Sequence, residues 1–121
     1  VERGTTSVGQ EWLVDCSGCR PAALRDFRAL QQLFAELVAE LGLAVVGATQ
    51  WHTFPGEGGV TGLALLSESH LAIHTFPEHG FAALSVYSCR GRLAPDFERL
   101  VGRHLEPSAV KVRTVERRLE R

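Results

Sequence analysis

Lysine is nearly missing from this chain. Lys111 is the single example in 121 residues, and the other basic side chains are arginine. The shortage bears on chemistry, because an enzyme that uses pyridoxal phosphate holds it on a lysine. A lone lysine inside the alternating, charge-rich run VKVRTVERRLER is a poor anchor, so no pyridoxal phosphate is expected. Cysteine is also scarce. An odd count of three argues against a disulfide framework and suits a reducing compartment. No apolar run reaches the ~20 residues of a membrane span, and VERGTTSVGQ has no signal-peptide core. The expected location is therefore cytoplasmic, with no membrane partner. A formal net charge of −1 gives no footing for a nucleic-acid partner either. With no internal repeat and no linker, residues 1–121 read as a single domain built on one core.

The hydrophobic pattern then sets out the elements. Trp12, Val14 and Cys16 alternate with polar neighbours over residues 10–17, as in a half-buried strand. Leu24, Phe27, Leu30, Phe34, Leu37 and Leu41 form a stripe that predicts one helix over 22–41, entered at Pro21 and closed by Gly42. Residues 43–54 read as a strand, PGEGG as a loop, and VTGLALLS, HLAIHTF and FAALSVYSC as three more strands. Residues 94–105 predict a second helix, and AVKVRTV a last edge strand running into a solvated tail. The order β-α-β-β-β-β-α-β predicts an α+β fold: a two-layer sandwich, with an antiparallel sheet carrying two helices on one face.

The stretch SESHLAIHTFPEHG, which holds one of these strands and the turns at its ends, gathers Ser67, Glu68, Ser69, His70, His74, Glu78 and His79. A metal site is disfavoured. His70 and His74 stack over one ion on a helix, but on a strand they stand ~13 Å apart, so no metal is expected. Cys16 and Cys19 have thiol-disulfide spacing at a strand-to-helix junction, although Asp15 replaces the usual aromatic. Structural roles for both thiols are the preferred reading. Ser69 lacks the G-x-S-x-G elbow of a hydrolase. A further option follows from the missing lysine: a serine that attacks its preceding carbonyl and eliminates leaves a pyruvoyl group, a self-made electron sink. Such a step requires a base and hydroxyl donors nearby. Ser69, with His74 and Thr61 close by in an antiparallel sheet, supplies those parts.

The stretch LSESHLAIHTFPEHGFAALSVYSC resembles the short prokaryotic type of self-processing S-adenosylmethionine decarboxylases. These carry a serine in an E-S-H context, then I-H-T-aromatic-P-E, then a strand ending in cysteine. The spacings agree, five residues from Ser69 to His74 and twenty from Ser69 to Cys89. The likeness runs over about residues 9–117 and includes Gly59–Gly62 and Asp15. It implies cleavage between Glu68 and Ser69, giving a β chain of 1–68 and an α chain of 69–121. Ser69 would become the pyruvoyl group, which holds substrate as a Schiff base. His74 would be the processing base, assisted by Thr61, and Cys89 the proton donor to substrate. Phe54 and Glu78 would line the substrate pocket. The resemblance also implies a homodimer of processed units in polyamine biosynthesis.

Three departures bear on the substrate. The loop FPGEGGVTG is one residue longer than usual, Ser85 replaces an acidic residue, and Glu11 replaces a basic or imidazole one. S-adenosylmethionine is the leading substrate. Arginine or ornithine decarboxylation on the same fold is the alternative, and an unprocessed non-enzymatic relative is a second.

Overall fold

A computed structural model describes residues 5–120. The elements are β1 (Thr5–Ser17), α1 (Pro21–Leu24), α2 (Phe27–Leu41), β2 (Gln50–Thr53), β3 (Val60–Leu65), β4 (Ser69–Phe76), β5 (Phe81–Ser88), α3 (Phe97–Leu105) and β6 (Ala109–Glu120). The six strands form one sheet in the order β2-β3-β4-β5-β1-β6, every neighbouring pair antiparallel. Strand alternation divides it into two faces. One face presents Trp12, Val14, Leu71, Ile73, Leu84 and Val86, which share a single buried cluster with the inner stripes of α2 and α3. The other presents Glu11, Leu13, His70, Ala72, His74, Ala83, Ser85 and Tyr87, and no helix among the described residues covers it. This is the expected two-layer α+β sandwich.

Three local expectations are corrected. The single long helix is two, because Asp26 adopts an extended backbone and its carboxylate accepts the Ala29 amide at 3.2 Å. An aspartate that caps a new helix competes with continuing the old one. The break turns Phe27 outward, to lie edge-on against Trp51, while Leu33 takes a buried place that the stripe omitted. Gly42 closes α2 in the left-handed region at φ 68°, as expected. Residues 43–54 are not one strand: only β2 and an isolated Val45–Leu66 bridge pair, with Gly47 at φ 74° between them. The last strand is the exposed edge strand expected, but the tail after it is strand as well. β6 stays paired to β1 through Glu120, and cross-strand ion pairs Arg113–Asp15 (3.3 Å) and Arg117–Glu11 (3.5 Å) lie along it. Near the start of β1, a bulge at Gly9 (φ 150°) makes room for Tyr87, whose hydroxyl donates to the Val8 carbonyl at 2.9 Å. A Cβ at residue 9 would overlap that hydroxyl.

Candidate active site

The residues singled out in the sequence fall into two groups, one at each end of β4. At its start, a tight turn through Ser67 and Glu68 joins β3 to β4, closed by the Leu66 amide donating to the Ser69 carbonyl at 2.8 Å. Ser69 is the first residue of β4 and lies opposite Ser88 of β5. That register carries the chain past Ser88 so that the Cys89 amide donates to the Glu68 carbonyl at 2.9 Å. The Glu68–Ser69 peptide therefore has its carbonyl oxygen held by a backbone N–H. The Ser69 hydroxyl is buried and has no hydrogen-bond partner among the described residues. A second buried polar atom, His104 Nε2, is paired with a Glu36 oxygen at 3.1 Å, whereas the Ser69 hydroxyl has no such neighbour among the described residues. Burying an unpaired hydroxyl costs about 1–3 kcal/mol, so a native structure needs a reason to keep one.

The Glu68 carboxylate lies under two guanidinium groups. Arg92 Nη2 donates to it at 3.2 Å, and Arg90 pairs with its other oxygen. Arg92 also reaches Ser88 Oγ at 3.1 Å and the Leu41 carbonyl, at the end of α2, at 3.0 Å. Sequence reasoning passed over all three of Arg90, Arg92 and Ser88. Their only early signal is a pair of arginines directly after Cys89, which gains meaning once the β4–β5 register sets it beside Glu68.

At the far end of β4, Thr61 and His74 are cross-strand partners, with Thr61 Oγ1 3.0 Å from His74 Nδ1. They open onto a cleft of about 340 Å³ lined also by Phe54, Glu57, Phe76 and Glu78. Phe54 is half exposed and meets His52 edge-on at 4.5 Å, so the lengthened loop still delivers it to this cleft. Behind the cleft, the buried Thr75 hydroxyl accepts from the Val60 amide and donates to the Leu24 carbonyl, each at 2.9 Å.

The two groups do not meet within one chain. Ser69 and His74 are five residues apart on a continuous strand, ~16 Å along it. An odd separation also places their side chains on opposite faces, Ser69 buried and His74 exposed. The expectation that His74 stands close to Ser69 is corrected for a single chain. Cys89, by contrast, is exposed beside Glu68 at the Ser69 end.

The two remaining cysteines are both buried and unpaired by any disulfide. Burial, followed by the charges of Cys19 and Asp15, pushes the Cys16 thiol up to about 12, and burial raises Cys19 too. A thiol-disulfide site needs the opposite shift. Among the described residues, no three His, Cys, Asp or Glu side chains cluster as a metal would require. No helix there is long and apolar enough to cross a membrane.

A one-sided antiparallel sheet backed by helices, with an unpartnered serine at a hairpin turn, defines an α+β sandwich that carries a candidate nucleophile beside a held carbonyl. The crystal structure of the adenosylmethionine decarboxylase from Aquifex aeolicus aligns with 93% of this chain and 92% of its own, with a TM-score of 0.78 and 26% identity. The model of the S-adenosylmethionine decarboxylase family matches residues 10–118. An S-adenosylmethionine decarboxylase proenzyme of Methanococcus maripaludis is 33% identical over 111 residues, spanning 91% of this chain and 89% of that protein. Another, from Syntrophomonas wolfei, is 39% identical over 89 residues, spanning 74% and 69%. The chain belongs to the S-adenosylmethionine decarboxylase family, as the E-S-H and I-H-T-F-P-E motifs imply.

Proposed function

We propose that this protein is a self-processing, pyruvoyl-dependent S-adenosylmethionine decarboxylase of polyamine biosynthesis. One observation carries the reading: a buried serine hydroxyl without a partner adjoins a carbonyl whose oxygen already accepts a backbone N–H. Ser69 Oγ attacks the Glu68 carbonyl carbon, and the Cys89 amide stabilises the oxyanion that forms. The C–N bond breaks and its nitrogen takes the hydroxyl proton, which leaves an ester. Removal of the Ser69 α-proton then expels Glu68 as a carboxylate. The dehydroalanine left behind takes up water and loses ammonia, giving a pyruvoyl group at the head of 69–121, with 1–68 as the second chain. His74 is the base for this elimination, held through Nδ1 by Thr61 so that Nε2 exchanges the proton.

The residues present fit that group, since the hydroxyl that must react is the one left unpartnered. When in place, it supplies an electron sink for the electrons released as carbon dioxide leaves. Cys89 returns a proton to the substrate carbon. Phe54 offers its ring to an adenine, while Glu78 gives the cleft a carboxylate suited to a sulfonium cation, Glu57 beside it being paired with Arg25 at 3.5 Å.

The separation of Ser69 from His74 favours a homodimer with sites shared between copies. The open face exposes Leu63 and Leu65 beside the small residues Ala72, Ala83 and Ser85, a surface that a second sheet can cover. An antiparallel pairing of two such faces brings the His74 end of one chain toward the Ser69 end of the other. The proposed location is the cytoplasm. Intact-mass measurement of purified protein, with decarboxylation assays on S-adenosylmethionine, arginine and ornithine, tests the whole reading. The expected result is two fragments split at Glu68–Ser69 and turnover of S-adenosylmethionine. An undivided chain would point to the non-enzymatic relative, and turnover of arginine or ornithine alone would overturn the substrate.

A further inference from the structure

The three-way grip of Arg92 has no part in the chemistry above. Its guanidinium is mostly buried, with its side chain 24% exposed, and it holds Glu68 Oε1, Ser88 Oγ and the Leu41 carbonyl at 3.0–3.2 Å. Those acceptors belong to three different pieces of the fold: the β3–β4 turn, the end of β5 and the C-terminus of α2. A planar group with five donors in a fixed fork suits such a junction, and lysine does not reproduce it. Arg90, by contrast, contacts Glu68 from solvent, with its side chain 71% exposed.

We propose that Arg92 is a positioning residue for self-cleavage, acting through the Glu68 carboxylate. This inference rests on the processing reading given above. The turn that presents the reacting bond is only two residues long, Ser67 and Glu68. Glu68 is fixed at both its ends, by the Cys89 amide on its carbonyl and by Arg92 on its side chain. With both in place, the carbonyl keeps its oxyanion donor while its carbon is offered to Ser69 Oγ. Without Arg92 the backbone bonds of the turn remain, but the Glu68 side chain keeps only the exposed Arg90 and loses its tie to Ser88 and to the end of α2, so the angle at which its carbonyl meets Ser69 Oγ is less closely set. Orientation of this kind dominates an intramolecular acyl shift, because a misplaced nucleophile costs rate steeply. Ser88 ties the device to the sheet, since it is fully buried, pairs with Ser69 in register and accepts from Arg92.

The test follows the conversion of freshly synthesised chain to two fragments by intact mass, in wild type, Arg92→Ala, Arg92→Lys and Glu68→Gln. Thermal unfolding of each variant checks that it folds. Arg92→Ala and Arg92→Lys are expected to cleave roughly tenfold or more slowly, as the loss of a charge-assisted hydrogen bond at a reacting turn implies. Glu68→Gln is expected to slow cleavage in the same direction with Arg92 intact. Guanidinium ion at millimolar concentration, but not sodium at equal ionic strength, is expected to restore cleavage in Arg92→Ala. A residue that merely stabilises the fold would not give that ion-specific rescue. Cleavage of Arg92→Ala at the wild-type rate, or slow cleavage that guanidinium leaves unchanged, would overturn the positioning role alone. A wild type that never cleaves would overturn the processing reading and this role with it.

Discussion

Thr75→Val removes one oxygen from behind the cleft and keeps the side chain's shape. The hydroxyl bridges two buried backbone groups, accepting from Val60 N–H and donating to the Leu24 carbonyl, both at 2.9 Å. Valine leaves both without this partner inside a closed core. Each orphaned group costs about 1–3 kcal/mol, so the loss sums to ~2–6 kcal/mol. That is a large share of the ~5–15 kcal/mol that holds a domain of this size. At roughly 4 °C per kcal/mol, Tm should fall by ~8–24 °C. The comparison is best made in a Ser69→Ala background, where both proteins remain one chain. Thr75→Ser keeps the hydroxyl and loses only a methyl, and should fall by about 1 kcal/mol. Urea titrations give the free energies directly. A Thr75→Val protein within 1 kcal/mol of its parent would refute the bridge, and with it the claim that α1 is pinned to β4 through this residue.

Co-expression of Ser69→Ala with His74→Ala tests whether sites are shared: alone neither chain should be cleaved, yet together the His74→Ala chain should be, because its Ser69 meets the other copy's His74. Absence of fragments from the mixture, with wild type cleaving, would contradict a composite site. Phe54→Ala should lower kcat/KM for S-adenosylmethionine by roughly tenfold, since stacking and burial of an adenine together exceed the ~1.4 kcal/mol of one decade; an unchanged value would move the adenine elsewhere. Glu36 gives an acid-stability prediction. Its hydrogen bond to His104, then the charges of His104 and Arg103, hold the carboxyl below its usual 4.5. A lowered folded value contributes stability above the ordinary carboxylate range and loses it as pH falls through the folded value. Glu36→Gln should therefore flatten the acid limb of the stability curve below pH 4.5, and identical limbs in urea titrations would exclude this pairing.

Much of the fold was legible because alternation and stripe periodicity report burial directly. Trp12, Val14 and Cys16, and likewise Leu84 and Val86, alternate inward as their spacing predicts. What periodicity missed was competition between local signals. The stripe from Leu24 to Leu41 continues through Asp26 without interruption, yet Asp26 is also an N-cap, and its carboxylate bond to Ala29 wins. The run 43–54 is apolar enough for a strand, but Gly47 takes a positive φ and the sheet has space for only four residues of it. The tail was misread for a different reason. The strand is exposed as its charges imply, but only the acids of β1 opposite it, Asp15 and Glu11, show why its pairing continues to Glu120 instead of fraying into a tail.

For the site, the limit lies in register. His74 and Glu78 lie in the motif, whereas Thr61 and Phe54 come from β3 and the loop after β2, and the sheet gathers all four at one cleft. Arg92 is 24 residues from Glu68 and carries no motif, so nothing local marks it. The distance between Ser69 and His74 was open to argument from the start. The same strand geometry that separates His70 from His74 too far for one metal separates Ser69 from His74 further still, ~16 Å with opposite facing. A base and a nucleophile spaced five apart on one strand do not meet within that strand. If both serve one reaction, the second copy proposed to cover the bare sheet face would belong to the catalytic machinery, because it would bring to Ser69 the imidazole that its own chain holds at the other end.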